Sequence, residues 1–551
     1  MDPIARDGQQ MAQPIDGHTG DVLGEDAARI AERDAQEYNI RAALAVADAV
    51  RSTYGPKGMD KMLVSDVGTV TITNDGETLL RQMEIENPTA EMLVEIAQTQ
   101  ANEAGDGTTT VVILAAALLK QAMDLIEEGL HPNVIVRGFT YAANQAFEEV
   151  DDIAVSVDGS DREVLRQVAE TAMTGKGVEV DRTLLADLVI DAVEAVTVTD
   201  EAGDTFVDRR FIEIEPQTGH PAADSKLVHG MALHEDAAVD DMPSIVEDAR
   251  ILLTDQALEH ADAEIDARIS IDDPTAFQSF VDEEDAALEA MVDQITAAGA
   301  NVVVCQHGID DLARFRLAAE GVLAIPNVDV DDLDFLRSAV DAPLVSDLDA
   351  VTAEDLGVGR VERDAHDELF FIEGTGEEAH GVTLLVRGST DHVVEEVERA
   401  ITDALQAVTQ TVVEDRVLPG GGAVAIEVAR RVREEAPGLD AREQLALEGF
   451  ADAIEMAPYV LAENAGIDPI ETVMALRNAH ADGDVLTGID VVTDDVVDMV
   501  ERGVLDTQFG TQQAIAAATE AACMIIKIDD IITPTELREH VKDSVAEDGP
   551  V

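Results

Sequence analysis

Residues 105–110 read Gly-Asp-Gly-Thr-Thr-Thr, and nine apolar residues, 111–119, follow them directly. This order predicts a polar turn that opens into a buried helix. Glycines let the backbone approach a ligand closely, and the unpaired N–H groups of a helix start suit a phosphate. Asp106 would repel a phosphate unless a cation lay between them, so it is predicted to bind Mg²⁺. The alternative from these residues alone is an ordinary capped helix, with Asp106 or Thr108 as the N-cap.

Four further segments have the composition of ligand-binding turns. Residues 53–63 form a glycine-rich loop with two lysines, and residues 171–177 place Lys176 in a short polar turn. Residues 70–76 form an alternating strand that ends in Asn-Asp-Gly, which by itself is equally typical of a hairpin turn. Residues 414–423 place an acidic pair shortly before three glycines. Each segment is a modest signal alone, whereas five in this order are specific.

In this order the five segments resemble the group II chaperonins, the family of the archaeal thermosome and of TCP-1. The resemblance extends over about residues 38–532, and the stretches 301–306 and 308–313 distinguish group II from the bacterial group I chaperonins. It implies an ATP-dependent molecular chaperone that encloses unfolded proteins in a ring cavity and closes a built-in lid on ATP hydrolysis. The implied partners are unfolded or partly folded client proteins and identical or paralogous subunits in a double ring.

The nucleotide motifs lie near both ends of the chain, with about 240 residues between Lys176 and Asp415. One site can form from both ends only if the middle of the chain is inserted into an outer domain. The resemblance implies this arrangement as an α+β multidomain chaperonin fold, with a mostly helical equatorial domain, a hinge-like intermediate domain and an α/β apical domain. The implied segments are a mobile tail (1–30), the equatorial domain (31–159 and 417–551), the intermediate domain (160–227 and 379–416) and the apical domain (228–378), with a helical lid protrusion at about 258–289.

The resemblance also assigns the site residues, with ATP and Mg²⁺ as the implied cofactors. Asp106 matches the Mg²⁺ ligand, and Asp75 and Asp415 match the catalytic carboxylates that position or activate the attacking water. Lys176 matches the residue that senses the γ-phosphate. The positions that match nucleotide-binding residues are Gly55, Pro56, Asp75, Gly107, Thr108, Thr109, Thr110, Lys176, Gly421, Gly422 and Asp506.

Charge indicates the solvent in which the protein works. The chain has 115 acidic and 36 basic residues, a formal net charge of -79, and 46% hydrophobic residues. So large an apolar share argues against a disordered acidic chain, and the acids are spread along the whole sequence. This pattern favours a halophilic archaeon, where concentrated salt screens surface repulsion.

The same composition limits the partners and the location. Strong acidity argues against binding to nucleic acid. Two distant cysteines suit a reducing compartment, and the N-terminus lacks the pattern of a signal peptide. No apolar run reaches membrane-spanning length, so we expect no membrane partner and a cytoplasmic location.

Two other functions remain open from the sequence. Gly420-x-Gly422-x-x-Ala425 fits a loose Rossmann pattern, which is typical of a dinucleotide-dependent oxidoreductase. The chain is also compatible with a non-catalytic ring scaffold that keeps the fold. Measuring ATP turnover and bound nicotinamide distinguishes all three.

Overall fold

A computed structural model of the chain describes residues 13–14, 28–31, 33–65, 68, 70–83, 85–177, 181–200, 205–259, 274–364, 366–376 and 379–533. It divides into two compact units. The first unit comprises residues 1–179 and 402–551, and the second comprises residues 180–401. The second unit is therefore inserted in sequence between the two segments of the first unit, as one site built from both ends of the chain requires. The finer division into three domains stays a prediction. Most of the predicted tail, and residues 260–273 of the predicted lid protrusion, lie outside the described residues.

The α-helices follow in chain order. They are α1 (Arg33–Arg51), α2 (Gly76–Gln82), α3 (Pro88–Ala104), α4 (Thr108–Glu127), α5 (Pro132–Ile153), α6 (Arg162–Ala172), α7 (Arg182–Val196), α8 (Pro274–Ala298), α9 (Asp311–Ala319), α10 (Val330–Ala339), α11 (Asp391–Glu414), α12 (Ala423–Glu435), α13 (Ala441–Ile454), α14 (Met456–Ala465), α15 (Pro469–Asp482), α16 (Met499–Arg502) and α17 (Gln508–Ile526).

The strands are short and distributed over several sheets. They are β1 (Gln13–Pro14), β2 (Ala28–Ala31), β3 (Lys61–Val64), β4 (Val70–Thr73), β5 (Val155–Ser156), β6 (Thr197–Thr199), β7 (Thr205–Val207), β8 (Ile212–Thr218), β9 (Lys226–His229), β10 (Met231–Leu233), β11 (Ile245–Thr254), β12 (Val302–Cys305), β13 (Leu323–Ile325), β14 (Leu344–Val345), β15 (Gly357–Asp364), β16 (Leu369–Gly374), β17 (Val382–Gly388), β18 (Arg416–Pro419), β19 (Thr487–Asp490), β20 (Asp495–Asp498), β21 (Leu505–Asp506) and β22 (Asp530–Thr533).

The core of the first unit is helical, and α4 is central to it. Val111, Val112, Leu118 and Leu119 of α4 are fully buried, and α1, α13 and α17 pack against this helix. The predicted polar turn followed by a buried helix is therefore confirmed. Segments from both ends of the described chain also share a sheet in this unit, because β2 pairs antiparallel with both β1 and β22.

Helix α4 corrects one expectation from the sequence. Its 20 residues are long and apolar enough to cross a membrane, by length and composition alone. This finding differs from the expectation above that no apolar run reaches membrane-spanning length. Because α4 is surrounded by other helices, the structure accounts for its apolar sequence as the core helix of a folded unit.

The second unit is an α/β structure around a mostly buried sheet. Its strand order is β10-β16-β15-β11-β12-β13, with β14 also paired to β11. Strands β11, β12 and β13 run parallel to one another, and α8 and α9 lie in the connections between them. The apolar runs at 250–254 and 302–305 predict buried strands from the sequence alone. This is confirmed, because they lie in β11 and β12 and Leu252 and Val303 are fully buried. A second sheet has the order β8-β17-β9.

Candidate nucleotide-binding site

The site begins at the N-terminus of α4. Gly107 is the N-cap, its φ of 83° lies in the left-handed region that favours glycine, and it supplies no side-chain cap to the helix. The Asp106 Oδ1 atom accepts a hydrogen bond from the Gly107 N–H at 2.7 Å, and Gln100 Nε2 donates to the Asp106 carbonyl at 2.8 Å. The alternative in which Asp106 or Thr108 caps the helix is therefore wrong, and the helix start is open to an anion.

The Asn-Asp-Gly segment at 74–76 forms the start of helix α2 and not the turn of a β-hairpin. Asp75 is the N-cap of α2, and its Oδ2 atom accepts a hydrogen bond from the Thr78 N–H at 2.7 Å. The hairpin in this region is formed by β3 and β4, upstream of Asp75. A Cβ atom on Gly76 would lie 2.4 Å from Thr109 Oγ1, so the start of α2 packs directly on the start of α4.

The turn that contains Lys176 joins this pair of helix starts. The Gly175 carbonyl accepts a hydrogen bond from Asn74 Nδ2. On its other side, the Gly55 carbonyl oxygen and Pro56 Cα lie 3.3 Å and 3.5 Å from the Cβ position of Gly175. Three predicted segments, 53–63, 70–76 and 171–177, thus meet at one place.

Lys176 is surrounded by three carboxylates, Asp75, Asp106 and Asp403, which we call the acidic cluster. Lys176 Nζ forms an ion pair with Asp403 Oδ2 and lies 3.9 Å from Asp106 Oδ1, and Asp75 also acts on its charge. The side chains of Lys176 and Asp403 are 15% and 17% exposed. Asp403, on α11, is a site residue that the sequence analysis missed.

The acidic cluster carries more negative charge than Lys176 neutralises. Burial raises the pKa of the Asp403 carboxyl to about 7; Lys176 opposes this rise, and the charge of Asp106 adds to it. Burial alone would lower the pKa of Lys176, but Asp403 and Asp106 raise it above its usual value. The exposed Asp106 carboxylate beside this excess of negative charge fits a hard divalent cation such as Mg²⁺.

Asp506 and the triple glycine form another wall of the site. A Cβ atom on Gly420 would lie 3.4 Å from Asp506 Oδ2. Burial, with a contribution from the charge of Asp106, raises the pKa of Asp506 to about 7. Gly421 has a φ of 62°, and a Cβ atom there would lie 2.8 Å from the backbone N and O atoms of Ile489. Only glycine fits this close approach of two backbones.

Gly422 is the N-cap of α12, again without a side-chain cap, so a second helix start is open to a ligand. The preceding strand, β18, pairs antiparallel with both β5 and β21. A Rossmann fold requires parallel strands joined through a helix at this position. The oxidoreductase alternative, which rested on the glycine spacing, is therefore wrong.

Tyr54 links the α4 start to Asp506. Burial raises the pKa of its phenol to about 12, against a lowering by a hydrogen bond with the Thr110 side chain. The charges of Asp506 and Asp106 add to the rise. Tyr54 therefore stays neutral at physiological pH and remains able to donate a hydrogen bond.

Asp415 lies apart from this group. It is exposed, its backbone is left-handed with a φ of 54°, and its Oδ1 atom accepts a hydrogen bond from the Gly159 N–H at 2.9 Å. Helix α11 continues to Glu414, so Asp415 lies twelve positions beyond Asp403, a rise of about 18 Å along the helix. The structure thus places Asp415 outside the acidic cluster, whereas it brings together segments 53–63, 70–76, 105–110 and 171–177.

Comparison with known proteins identifies the family, since the model of the TCP-1/cpn60 chaperonin family matches residues 46–536. The chain belongs to this family. The chaperonin is 52% identical over 526 residues to thermosome subunit beta of Halobacterium salinarum, which covers 95% of each chain. It is 52% identical over 516 residues to thermosome subunit 2 of Haloferax volcanii, covering 94% of this chain and 93% of the relative. Thermosome subunit 1 of the same organism is 46% identical over 531 residues, covering 96% and 94%.

Family and relatives confirm the functional interpretation of the sequence. The chaperonin is of the thermosome type, and its function is that of an ATP-dependent group II chaperonin. Relatives from Halobacterium and Haloferax also agree with the salt-adapted composition.

Proposed function

We propose that the chaperonin hydrolyses ATP at the acidic cluster and uses this reaction to drive protein folding. The observation that carries the proposal is the convergence of Asp75, Asp106 and Asp403 on Lys176, beside an open helix start. Phosphoryl transfer requires mostly positioning and charge neutralisation, and these groups supply both.

The phosphates of ATP bind at the start of α4, where the N–H groups and hydroxyls of Thr108, Thr109 and Thr110 face the ligand. Asp106 would hold Mg²⁺, which when bound neutralises phosphate charge. Lys176 is held by Asp403 and Asp106 and donates to the γ-phosphate. Gly55, Pro56, Gly421, Gly422 and Asp506 form the walls around the rest of the nucleotide.

Asp403 takes the catalytic role that the sequence analysis gave to Asp415. Its carboxylate is ion-paired to Lys176, so it lies next to the proposed γ-phosphate position. It orients the attacking water and accepts its proton. Asp75 has one oxygen fixed by Thr78 at the start of α2 and positions the same water.

Asp106→Asn is expected to weaken Mg²⁺-dependent ATP binding at least tenfold, about 1.4 kcal/mol, because the substitution removes a charge and keeps the shape. Isothermal titration with and without Mg²⁺ measures the effect, which should disappear when Mg²⁺ is absent. The matched control is Asp60→Asn, an exposed acid of the glycine-rich loop, and should bind ATP as the parent does. Equal loss of affinity with and without Mg²⁺ would remove Asp106 as the metal ligand.

We further propose assembly into a double ring with paralogous subunits, as both Haloferax relatives are named thermosome subunits. The hairpin β3–β4 exposes Met62 (65%), Val64 (64%) and Ile72 (44%). Such an apolar face is typical of a protein–protein interface. A neighbouring subunit would cover it.

Unfolded or partly folded proteins are the proposed clients. The apical domain (228–378), flanked by the intermediate segments, would receive them beneath the lid segment at about 258–289, which closes on ATP hydrolysis. The cytoplasm is the proposed location.

Ring assembly is expected to require molar salt. Each subunit carries a formal charge of -79, and a ring brings many such subunits together. At 0.01 M salt the Debye length is about 30 Å, so repulsion acts across whole interfaces, whereas at 1 M it is about 3 Å. Sedimentation velocity and ATP turnover are measured across a KCl series. The fraction of protein that sediments as rings and the rate of ATP turnover should fall together as the KCl concentration is lowered. Intact, active rings in dilute buffer would show that the acidity is tolerated and not required.

The second candidate function is a non-catalytic ring scaffold. Measuring ATP turnover distinguishes this scaffold from the ATP-hydrolysing chaperonin proposed above. A scaffold would bind clients without hydrolysing ATP in molar KCl.

A further inference from the structure

Three side chains with metal-binding chemistry meet in the second unit, whereas the acidic cluster belongs to the first unit. His220 lies two residues beyond β8, and His366 and Asp367 lie in the connection between β15 and β16. One ligand atom from each lies within 4.8 Å of the others. His220 Nε2 is 3.0 Å from Asp367 Oδ1, and the two histidine rings meet edge to face with centroids 5.7 Å apart.

The carboxylate of this trio is fixed in place. Asp367 is only 6% exposed, and its Oδ2 atom accepts a hydrogen bond from Arg387, which is itself buried. Gln217 Nε2 donates to the Asp367 carbonyl at 3.2 Å. The Oδ1 atom is thereby held toward His220.

The surroundings resemble those of histidine metal ligands. The second ring nitrogen of His220, Nδ1, lies 3.9 Å from Asp224 Oδ2, and a carboxylate behind a ligating histidine orients its ring and raises its basicity. The Asp364 Oδ1 atom accepts a hydrogen bond from the His366 N–H at 2.9 Å and fixes the turn. Asp224 and Asp364 add negative charge that offsets Arg387 near an incoming cation.

We propose that His220, His366 and Asp367 bind one divalent transition-metal ion of the zinc class. Tetrahedral ligands at zinc distances lie about 3.3 Å from one another, so small side-chain movements convert the observed spacing into a coordination shell. On binding, the ion takes the place of the proton between His220 Nε2 and Asp367 Oδ1, and His220 binds it as a neutral imidazole whose one proton is on Nδ1, the nitrogen on the side of Asp224. A fourth position remains for water or another small ligand.

The ion would connect two sheets of the second unit. His220 follows an edge strand of the sheet β8-β17-β9, whereas His366 and Asp367 connect β15 and β16 of the larger sheet. The competing explanation is a metal-free network, in which His220 and Arg387 simply neutralise a buried aspartate. That network needs no His366, and this difference defines the test.

The test is Zn²⁺ titration of the full chaperonin in molar KCl with excess Mg²⁺, which occupies weaker carboxylate sites. The parent should bind one Zn²⁺ per chain at this site, and His366→Ala should weaken that binding at least tenfold. His392→Ala, an exposed histidine on α11, is the matched control and should leave it unchanged. Co²⁺ bound to the parent should show the intense visible bands of a four-coordinate site, and these should be lost in His366→Ala.

Stability provides a second measurement that does not depend on ATP turnover. A ligand that binds only the folded chain raises its Tm, so Zn²⁺ should raise the Tm of the parent and not that of His366→Ala. No Zn²⁺ binding by the parent, or equal binding by parent and His366→Ala, would overturn the proposal and leave the metal-free network as the explanation.

Discussion

Asp403→Asn is expected to lower ATP turnover at least 100-fold while ATP still binds. The substitution keeps the shape of the side chain and removes the charge that pairs with Lys176 and acts on the attacking water. A 100-fold loss corresponds to about 2.7 kcal/mol in the activation free energy. Steady-state turnover and ATP affinity, measured in parallel in molar KCl, separate a catalytic defect from a binding defect.

Asp415→Asn is the matched control for this experiment. It makes the same chemical change directly after the C-terminal end of α11, about 18 Å along the helix from Asp403. Its turnover should stay within threefold of the parent. Full activity of Asp403→Asn, together with a large loss in Asp415→Asn, would return the catalytic role to Asp415.

Glu427→Gln is expected to lower the free energy of unfolding by about 3 kcal/mol, the range for breaking a buried ion pair. Glu427 lies on α12 and is 1% exposed. Its Oε1 atom accepts a hydrogen bond from Arg431 Nε at 3.0 Å, its Oε2 atom accepts one from Arg430 Nε at 3.1 Å, and His480 Nδ1 lies 2.9 Å from Oε2. The neutral amide leaves these cationic and polar groups without their charged partner.

The same group predicts a pH dependence. Burial alone would raise the pKa of Glu427, but hydrogen bonds from His480, Arg430 and Arg431 lower it to about 2. Because its folded pKa lies below the value of about 4.3 in an unfolded chain, its contribution is complete above that pH and is lost as the pH falls toward 2.

Tm measured from pH 6 to pH 2.5 should therefore fall more steeply for the parent than for Glu427→Gln. Glu434→Gln, which removes an exposed partner of the same Arg430, should change the Tm little. Parallel pH curves for the parent and Glu427→Gln would show that Glu427 does not carry this stabilisation.

The sequence was sufficient to predict helices and strands that depend on the spacing of neighbouring apolar residues. The buried helix after the threonine turn and the strands at 250–254 and 302–305 follow from apolar spacing alone. The sequence was less informative where the role of a residue depends on a contact with a residue far away in the chain. Asp403 is one of many acids on α11, and only its pairing with Lys176, 227 residues away, distinguishes it.

Two further positions depend on distant contacts in the same way. The resemblance matches Asp415 to a catalytic carboxylate, whereas in the structure Asp415 follows α11 and its Oδ1 atom accepts a hydrogen bond from the Gly159 N–H. The glycine spacing after β18 resembles a Rossmann turn, and only the antiparallel pairing of that strand excludes it. Strand direction and helix length are set by contacts with distant segments, which local spacing does not encode.

Refolding of a denatured client protein in molar KCl, with ATP and Mg²⁺, tests the central claim most directly. The assembled parent should refold the client only when ATP is present, and Asp403→Asn rings should bind the client without releasing it folded. Refolding by the parent without ATP, or equal refolding by Asp403→Asn, would contradict an ATP-driven mechanism at the acidic cluster.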